Sequence, residues 1–336
     1  MGKRIFSILI LTSFLLVSCV DSHRSMKEVV FVMDTIVTLD VRDHANEKLL
    51  KKMTDRLMEI DSLMSFSKEE SDIYQVNHAK GESVLVDSST YYVVKKAVEY
   101  TQMSGGCFDP SIGRLVALWG IGSDDEHVPS IKEIEEVVET IGLDKISLSE
   151  PNSISLMDGT MIDVGAIAKG FAADEMIRIA KEAGVESAIF NLGGNISVLG
   201  SKGSDSFRIG IRNPFSESDE YFGIVEVTDT SVVTSGNYER YFIDESGVKY
   251  HHILDPFSGY PADNELSGVT VICSSSIKAD AFSTALYVMG LEKGLAFIEQ
   301  MDDMEAIFVT NSRDVYLSTG LQTSFLLCDD SFRIPE

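Results

Sequence analysis

Cysteine is scarce in this 336-residue sequence, with four residues at positions 19, 107, 273 and 328. Cys19 belongs to the leader region, which leaves an odd, scattered three. No disulfide framework and no C-x-x-C metal site follow from such spacing. Basic charge is also short: 28 Lys and Arg stand against 53 Asp and Glu, a net −25. A surface of that sign repels phosphate backbones, which argues against nucleic acid as a partner. An anionic ligand must then be met locally, by a metal ion or by backbone N–H groups. Neither G-x-x-x-x-G-K-[ST] nor G-x-G-x-x-G after a strand occurs, so the common nucleotide loops are missing. Ser65-x-x-Lys68 with Ser235-Gly236-Asn237 hints at a serine acyl-enzyme, but no Lys-Thr-Gly follows. Internal repeats, low-complexity linkers and an obvious domain break are all lacking.

Long apolar runs are missing too, apart from Ile5 to Val17, which falls short of the roughly 20 residues a membrane span needs. That run follows Lys3 and Arg4 and ends in Leu16-Val17-Ser18-Cys19, the layout of a secretory signal with a lipobox. Residues 1–18 are therefore expected to be a lipoprotein signal peptide. Cys19 would carry the lipid, residues 19–28 would form a polar tether, and residues 29–336 one domain.

Residues 29–41 are strand-like and rich in β-branched side chains. Leu49, Leu50, Met53, Leu57, Ile60 and Met64 recur at helical spacing and predict a helix over 45–64. A second helix is expected over 88–103, ended by Gly105-Gly106. Ser130-Ile-Lys-Glu133 is a capping-box pattern that opens a third, closed by Gly142, and a fourth spans about 166–183. Strands follow near 188–190, 196–199, 207–211, 221–227 and 238–243, with a hairpin at Glu245-Ser246-Gly247 leading into 248–254. A strand at 268–273, helices at 277–289 and 292–301, and strands near 306–309, 315–317 and 325–327 complete the chain. Elements arrive in runs without regular alternation, which favours an α+β class over a doubly wound sheet.

Several short segments carry possible chemistry. Asp280 and Thr284 stand four apart in an expected helix and so share a face. A carboxylate beside a hydroxyl, with no His or Cys nearby, suits a hard cation such as Mg²⁺. The plainer reading is an exposed Asp and a Thr bonding its own helix. Asp163-Val-Gly-Ala-Ile-Ala-Lys169-Gly170 places small residues at a helix start with a lysine one turn in, a pattern that fits phosphate or a simple capped helix. Asn191-Leu-Gly193-Gly194-Asn195 is a tight turn or a close approach to a ligand. Gly106-Cys-Phe-Asp109-Pro110-x-x-Gly113 and His251-His252-Ile-Leu-Asp255-Pro256-x-x-Gly259-x-Pro261 are rigid Asp-Pro loops. In the second, a histidine is either a base or a structural group.

Taken in order, Met33-x-Thr35, Phe108-Asp-Pro110-x-x-Gly113 with Leu118-Trp119-Gly120, Asp163 to Gly170, Asn191 to Gly194, Thr234-Ser235-Gly236, His252 to Pro261 and Ala279-Asp280-Ala-x-Ser-Thr284 form a set. This set resembles the ApbE family of FAD:protein FMN transferases, from about Val29 to the C-terminus. The resemblance implies a single α+β domain related to the T-fold, with a mixed or antiparallel sheet and packed helices. It implies Mg²⁺ held by the backbone carbonyl of Ala166 and the side chains of Asp280 and Thr284. FAD contacts would fall to Met33, to Cys107, Phe108 and Asp109, to Asp163 and Lys169, and to His252 and Ile253. Asp34 stands where glycine is commoner in the family, and Arg114 where proline is.

The implied reaction moves FMN from FAD to a Ser or Thr of an extracytoplasmic flavoprotein subunit of a redox complex, with His252 as base, Lys169 and Asp163 assisting, and AMP released. The implied address is the periplasmic face of the inner membrane, held there by the lipid. With water as nucleophile the same site would be an FAD pyrophosphatase. A non-catalytic FAD-binding lipoprotein is the third reading, and it leaves the metal-ligand pattern without a purpose.

Overall fold

A computed structural model describes residues 24–218 and 220–335. The leader, Cys19 and the start of the tether lie outside the described residues. The chain opens with a hairpin, β1 (Met26–Val32) and β2 (Thr35–Val41). Helices α1 (Glu47–Met64) and α2 (Asp72–His78) follow, then the short β3 (Val84–Leu85), α3 (Ser88–Met103), α4 (Gly113–Trp119) and α5 (Ile131–Val138). A small hairpin, β4 (Ile146–Ser149) and β5 (Ser153–Leu156), leads into α6 (Gly165–Glu182). The strand-rich stretch is β6 (Ala188–Leu192), β7 (Asn195–Leu199), β8 (Phe207–Arg212), β9 (Tyr221–Val227), β10 (Ser231–Gly236), β11 (Tyr241–Ile243), β12 (Lys249–His251) and β13 (Leu266–Cys273). Helix α7 (Ser276–Ile298), β14 (Met304–Thr310), β15 (Val315–Leu317) and β16 (Phe325–Leu327) close it.

Eight strands form one sheet in the order β1-β2-β6-β7-β10-β13-β14-β15, every neighbouring pair antiparallel. The α+β expectation therefore holds. One face of this sheet carries α1, α6 and α7, where Val37, Leu39, Phe190, Val269 and Val271 meet Phe282, Leu286 and the buried stripe of α1. Each such side chain removed from water contributes about 1.5–3 kcal/mol. Over the other face, β16-β9-β8 packs Phe207, Ile209 and Phe222 against Val198, Val232 and Val309. A third cluster joins α4 and α5 to Leu254 around Trp119.

The structure departs from the sequence reading at identifiable places. Pairing of Met26 with Val41 brings residues 26–28, expected in the tether, into β1. The 29–41 segment is a hairpin, because Met33 and Asp34 both take left-handed backbone, φ 56° and 55°. Aspartate tolerates that region through its short polar side chain, so Asp34 fills a position that otherwise favours glycine. Helices α2 and α4, strands β3 to β5 and the central β10 are additions. The third helix ends at Val138, short of Gly142. The two helices expected on either side of 290 are present as the two halves of α7, parted at Gly290, φ 76° and ψ 177°.

Candidate active site

Helices α6 and α7 cross at Gly170. A Cβ at that position would lie 2.7 Å from Ile277 Cα and 2.8 Å from Asp280 Cβ, so only glycine permits the approach. The gap is used by a hydrogen bond, since Gly170 N–H donates to Asp280 Oδ2 at 2.8 Å. In a regular helix that N–H points at the carbonyl of residue 166. The carboxylate thus draws on the donor of the very carbonyl expected to bind a metal. Asp174, one turn further along α6, accepts from Ser276 N–H at 2.8 Å and Ile277 N–H at 3.0 Å. It caps α7 from the neighbouring helix, a task Ser275 does not perform. Ser276 Oγ donates to Asn195 Oδ1 at 2.9 Å, which gives the Asn191–Asn195 turn a structural role under α7.

Thr284, one turn beyond Asp280, meets the end of β10. Ser235 Oγ lies 2.8 Å from Ser283 Oγ and 3.3 Å from Thr284 Oγ1. Asp163 and Lys169 sit at the opening of α6. Asp163 Oδ1 accepts from Gly165 N–H at 2.6 Å, and Lys169 Nζ leans back toward the Gly165 carbonyl at 3.4 Å. The α6 start carries no side-chain cap on its first N–H groups beyond this contact, and such groups favour an anion.

The two histidines take different roles. His251 is buried, with Nε2 3.1 Å from the Ala262 carbonyl and Nδ1 accepting from Ile253 N–H at 3.3 Å, so both nitrogens are spent on structure. His252 has Nδ1 3.2 Å from the Arg240 carbonyl. A carbonyl accepts only from N–H, so the proton rests on Nδ1 and Nε2 keeps its lone pair. Burial, with the charges of Arg240 and Lys169, holds His252 neutral, its pKa pushed down to about 4.

Trp119 Nε1 donates to the Gly259 carbonyl at 2.8 Å and anchors the loop that follows His252. At Gly259 a Cβ would sit 2.7 Å from Val138, so this loop lies hard on α5. The 107–113 loop joins α6 through Gly113 N–H to the Met161 carbonyl, 3.0 Å, and Asp163 N–H to the Pro110 carbonyl, 2.7 Å. Arg114, where proline was the commoner expectation, reaches the Gly159 carbonyl at 3.1 Å. Phe108 and Ile253 point into the core, and Asp109 spends Oδ1 on Ser111 N–H and Oγ at 2.8 and 2.5 Å. The side chains of these three are therefore spent on packing and local hydrogen bonds, which leaves their backbone for any ligand contact. Cys107 is half-buried, its thiol pushed up by burial and by Asp255. Met33 sits at the β1–β2 turn, packed against the main core, where Thr35 closes against Gly193.

Burial pushes the carboxyls of Asp280 and Asp163 up, and the Lys169 charge opposes this at both. Arg240 acts on Asp163 and His252 as well. It is the residue that sequence reasoning missed, since nothing in Glu239-Arg240-Tyr241 marks it before the fold places it. Asp280 is buried and makes no ion pair among the described residues, and only one of its oxygens has a donor there. A divalent cation would restore its charge balance. Among the described residues no three His, Cys, Asp or Glu side chains gather for a metal. The donors on offer are one carboxylate, one hydroxyl and main-chain oxygen, all hard, which fits Mg²⁺.

A family model described as the ApbE family matches residues 33–308. The FAD:protein FMN transferase of Klebsiella pneumoniae (strain 342) is 35% identical over 306 residues, 90% of this chain and 95% of that protein. That of Treponema pallidum (strain Nichols) is 33% identical over 300 residues, 84% and 83% respectively. The crystal structure of the ApbE protein from Thermotoga maritima superposes with a TM-score of 0.84 at 31% identity, covering 90% of this chain and 99% of that one.

Proposed function

The chain belongs to the ApbE family, and from that membership we propose that it is an FAD:protein FMN transferase that works with Mg²⁺. It moves the FMN half of FAD onto a Ser or Thr hydroxyl of an acceptor protein and releases AMP. The observation that carries this reading is the buried Asp280 carboxylate, bonded to Gly170 N–H and one helical turn from Thr284, with Lys169 acting on the same carboxylate.

Asp280, Thr284 and the Ala166 carbonyl would hold the ion. Bound there, Mg²⁺ would supply positive charge beside a diphosphate and so favour the departure of AMP. Lys169 supplies a point charge for the phosphates, and the α6 start adds backbone N–H groups. The acceptor oxygen bonds to the FMN phosphorus as the bond from that phosphorus to the bridging oxygen breaks. The bridging oxygen leaves on AMP. The hydroxyl proton passes to His252 Nε2, the nitrogen that the Arg240 carbonyl leaves free. An anionic substrate beside His252 offsets the repulsion from Lys169 and Arg240 and so raises its basicity. Met33, Cys107 and the backbone around Phe108, Asp109 and Ile253 complete the proposed FAD cleft.

The acceptor belongs with extracytoplasmic flavoprotein subunits of redox complexes, and Cys19 would tether the enzyme to the periplasmic face of the inner membrane. Replacing Cys19 by Ser should move the protein from the membrane fraction to the soluble one; continued membrane association removes the anchor. For the chemistry, purified enzyme is given FAD and Mg²⁺ with and without a flavin-free acceptor subunit. The expected result is covalent FMN on the acceptor and an equal amount of AMP. Equal AMP release in both tubes, with no labelled acceptor, would make the enzyme a pyrophosphatase.

A further inference from the structure

Strand β10 runs on past its pairing with β7. That pairing stops at Val233, while β13 accompanies β10 as far as Gly236. Alternation sends Val233 to the helix side, where it joins the core beneath α7, and Val232 to the opposite face. Ser235 follows Val233 on the helix side, and its partner across the sheet is Val269. A hydroxyl set among valines costs free energy unless it is bonded. Ser235 Oγ has two partners, both hydroxyls on α7: Ser283 Oγ and Thr284 Oγ1.

Each hydroxyl has one proton to give. Ser283 is fully buried and donates its own to the Asp280 carbonyl at 2.9 Å. The proton in its 2.8 Å contact with Ser235 therefore comes from Ser235. Ser235 then has nothing left to donate, so in the 3.3 Å contact Thr284 is the donor. Protons run in one direction, from Thr284 to Ser235, to Ser283 and on to the Asp280 carbonyl. Among the described residues Thr284 makes no side-chain bond to its own helix, and the carbonyl one turn back is the one Ser283 uses. A hydroxyl that ligates a cation offers it lone pairs and keeps its proton elsewhere. We propose that Ser235 is a positioning residue, which takes the Thr284 proton and so leaves the Thr284 lone pairs free for the ion. The proposal rests on the Mg²⁺ reading given above and deepens it. Groups behind the ligands orient them and set metal affinity. Here the row of hydroxyls ends on the backbone of the other side-chain ligand, Asp280, so one chain of protons joins the two.

The full chain is stripped with a chelator and titrated with Mg²⁺ at saturating FAD, and the apparent Mg²⁺ Kd is read from the rise in melting temperature. Ser235→Ala should raise that Kd about tenfold, with FAD affinity and the melting temperature without metal kept near wild type. Ser235→Thr restores the hydroxyl and should return the wild-type Kd. Because Ser235 acts through Thr284, the penalty of Ser235→Ala should shrink to about twofold or less in a Thr284→Val background. An unchanged Mg²⁺ Kd in Ser235→Ala overturns the proposal. So does an equal loss in Ser235→Thr, or a full penalty in the Thr284→Val background. A lower melting temperature without metal, with the Mg²⁺ Kd kept, makes Ser235 a packing group and overturns it too. A Thr284→Val chain with the wild-type Kd overturns the Mg²⁺ reading itself, and the role of Ser235 with it.

Discussion

The α6–α7 crossing and the β11–β12 ribbon border the same site and are built on opposite terms. At the crossing, spacing is set within less than a methyl group: Gly170 admits no Cβ, Asp280 is buried, and Asp174 locks one helix to the start of the other. On the ribbon, one face packs against Trp119 while Ile243 and Tyr241 on the other are exposed, and among the described residues no strand beyond β11 and β12 joins the sheet. Close packing suits the part proposed to hold an ion and a diphosphate, which would be the same in every turnover. The contrast predicts that substitutions at the crossing change chemistry and stability together, whereas those at the exposed Ile243 and Tyr241 change stability little.

The sharpest test is Asp280→Asn. Turnover should fall on the order of 10³-fold, as when a preorganised electrostatic group is removed. The same change should raise the melting temperature at neutral pH in the presence of a chelator. Burial pushes this carboxyl up, so its stabilising share is complete below the unfolded value and is lost as pH rises through the folded one. Asparagine has no charge to bury. A lower melting temperature in chelator would mean that the carboxylate is balanced by protein groups, and the crossing would lose its distinction.

His252→Ala should slow transfer by about 10²-fold or more, within the usual range for a general base, with FAD affinity retained in a fluorescence titration. A transfer rate equal to wild type places the base elsewhere. Gly170→Ala should cost about 1–3 kcal/mol in urea denaturation and weaken Mg²⁺ binding with it, because the helices must part. If stability drops while ion affinity holds, the ligands are not set by the crossing.

The mildest effect concerns acid. His251 and His252 both have pKa values pushed down to about 4 by burial, below the unfolded value of about 6.5. Unfolding takes up protons between those values, so stability is complete above the unfolded value and declines as pH falls toward about 4. His251→Gln keeps a donor for the Ala262 carbonyl and should flatten part of that decline in urea midpoints compared between neutral and mildly acidic buffer. An unchanged slope would exclude His251 as a source.

Much of this was legible in the residues, and the reasons differ by element. Helices α1 and α3 announced themselves because one face of each is buried and the apolar spacing is regular. The break in α7 was visible as a gap between two helical patterns, and Gly290 supplies it. Strand β10 escaped notice because Thr234-Ser235-Gly236 read only as a motif, although the segment pairs on both edges in the main sheet. Helices α2 and α4 are seven residues each, too short for periodicity to speak. The motif pair Asp280 and Thr284 was apparent from spacing, whereas their link to Gly170 and Ser235 is tertiary and has no local trace. Arg240 is the extreme case. Its charge matters to Asp163 and His252 only because chain closure beneath the ribbon brings it there.

The sequence holds a single tryptophan, Trp119, and its indole N–H clasps the carbonyl of Gly259 in the loop that follows His252. One ultraviolet lamp is thereby wired to the loop beside His252. Its emission overlaps flavin absorption, so arrival of the dinucleotide should dim it by energy transfer, and loop movement should shift its colour. The unlabelled chain should therefore report the arrival of flavin through its own emission.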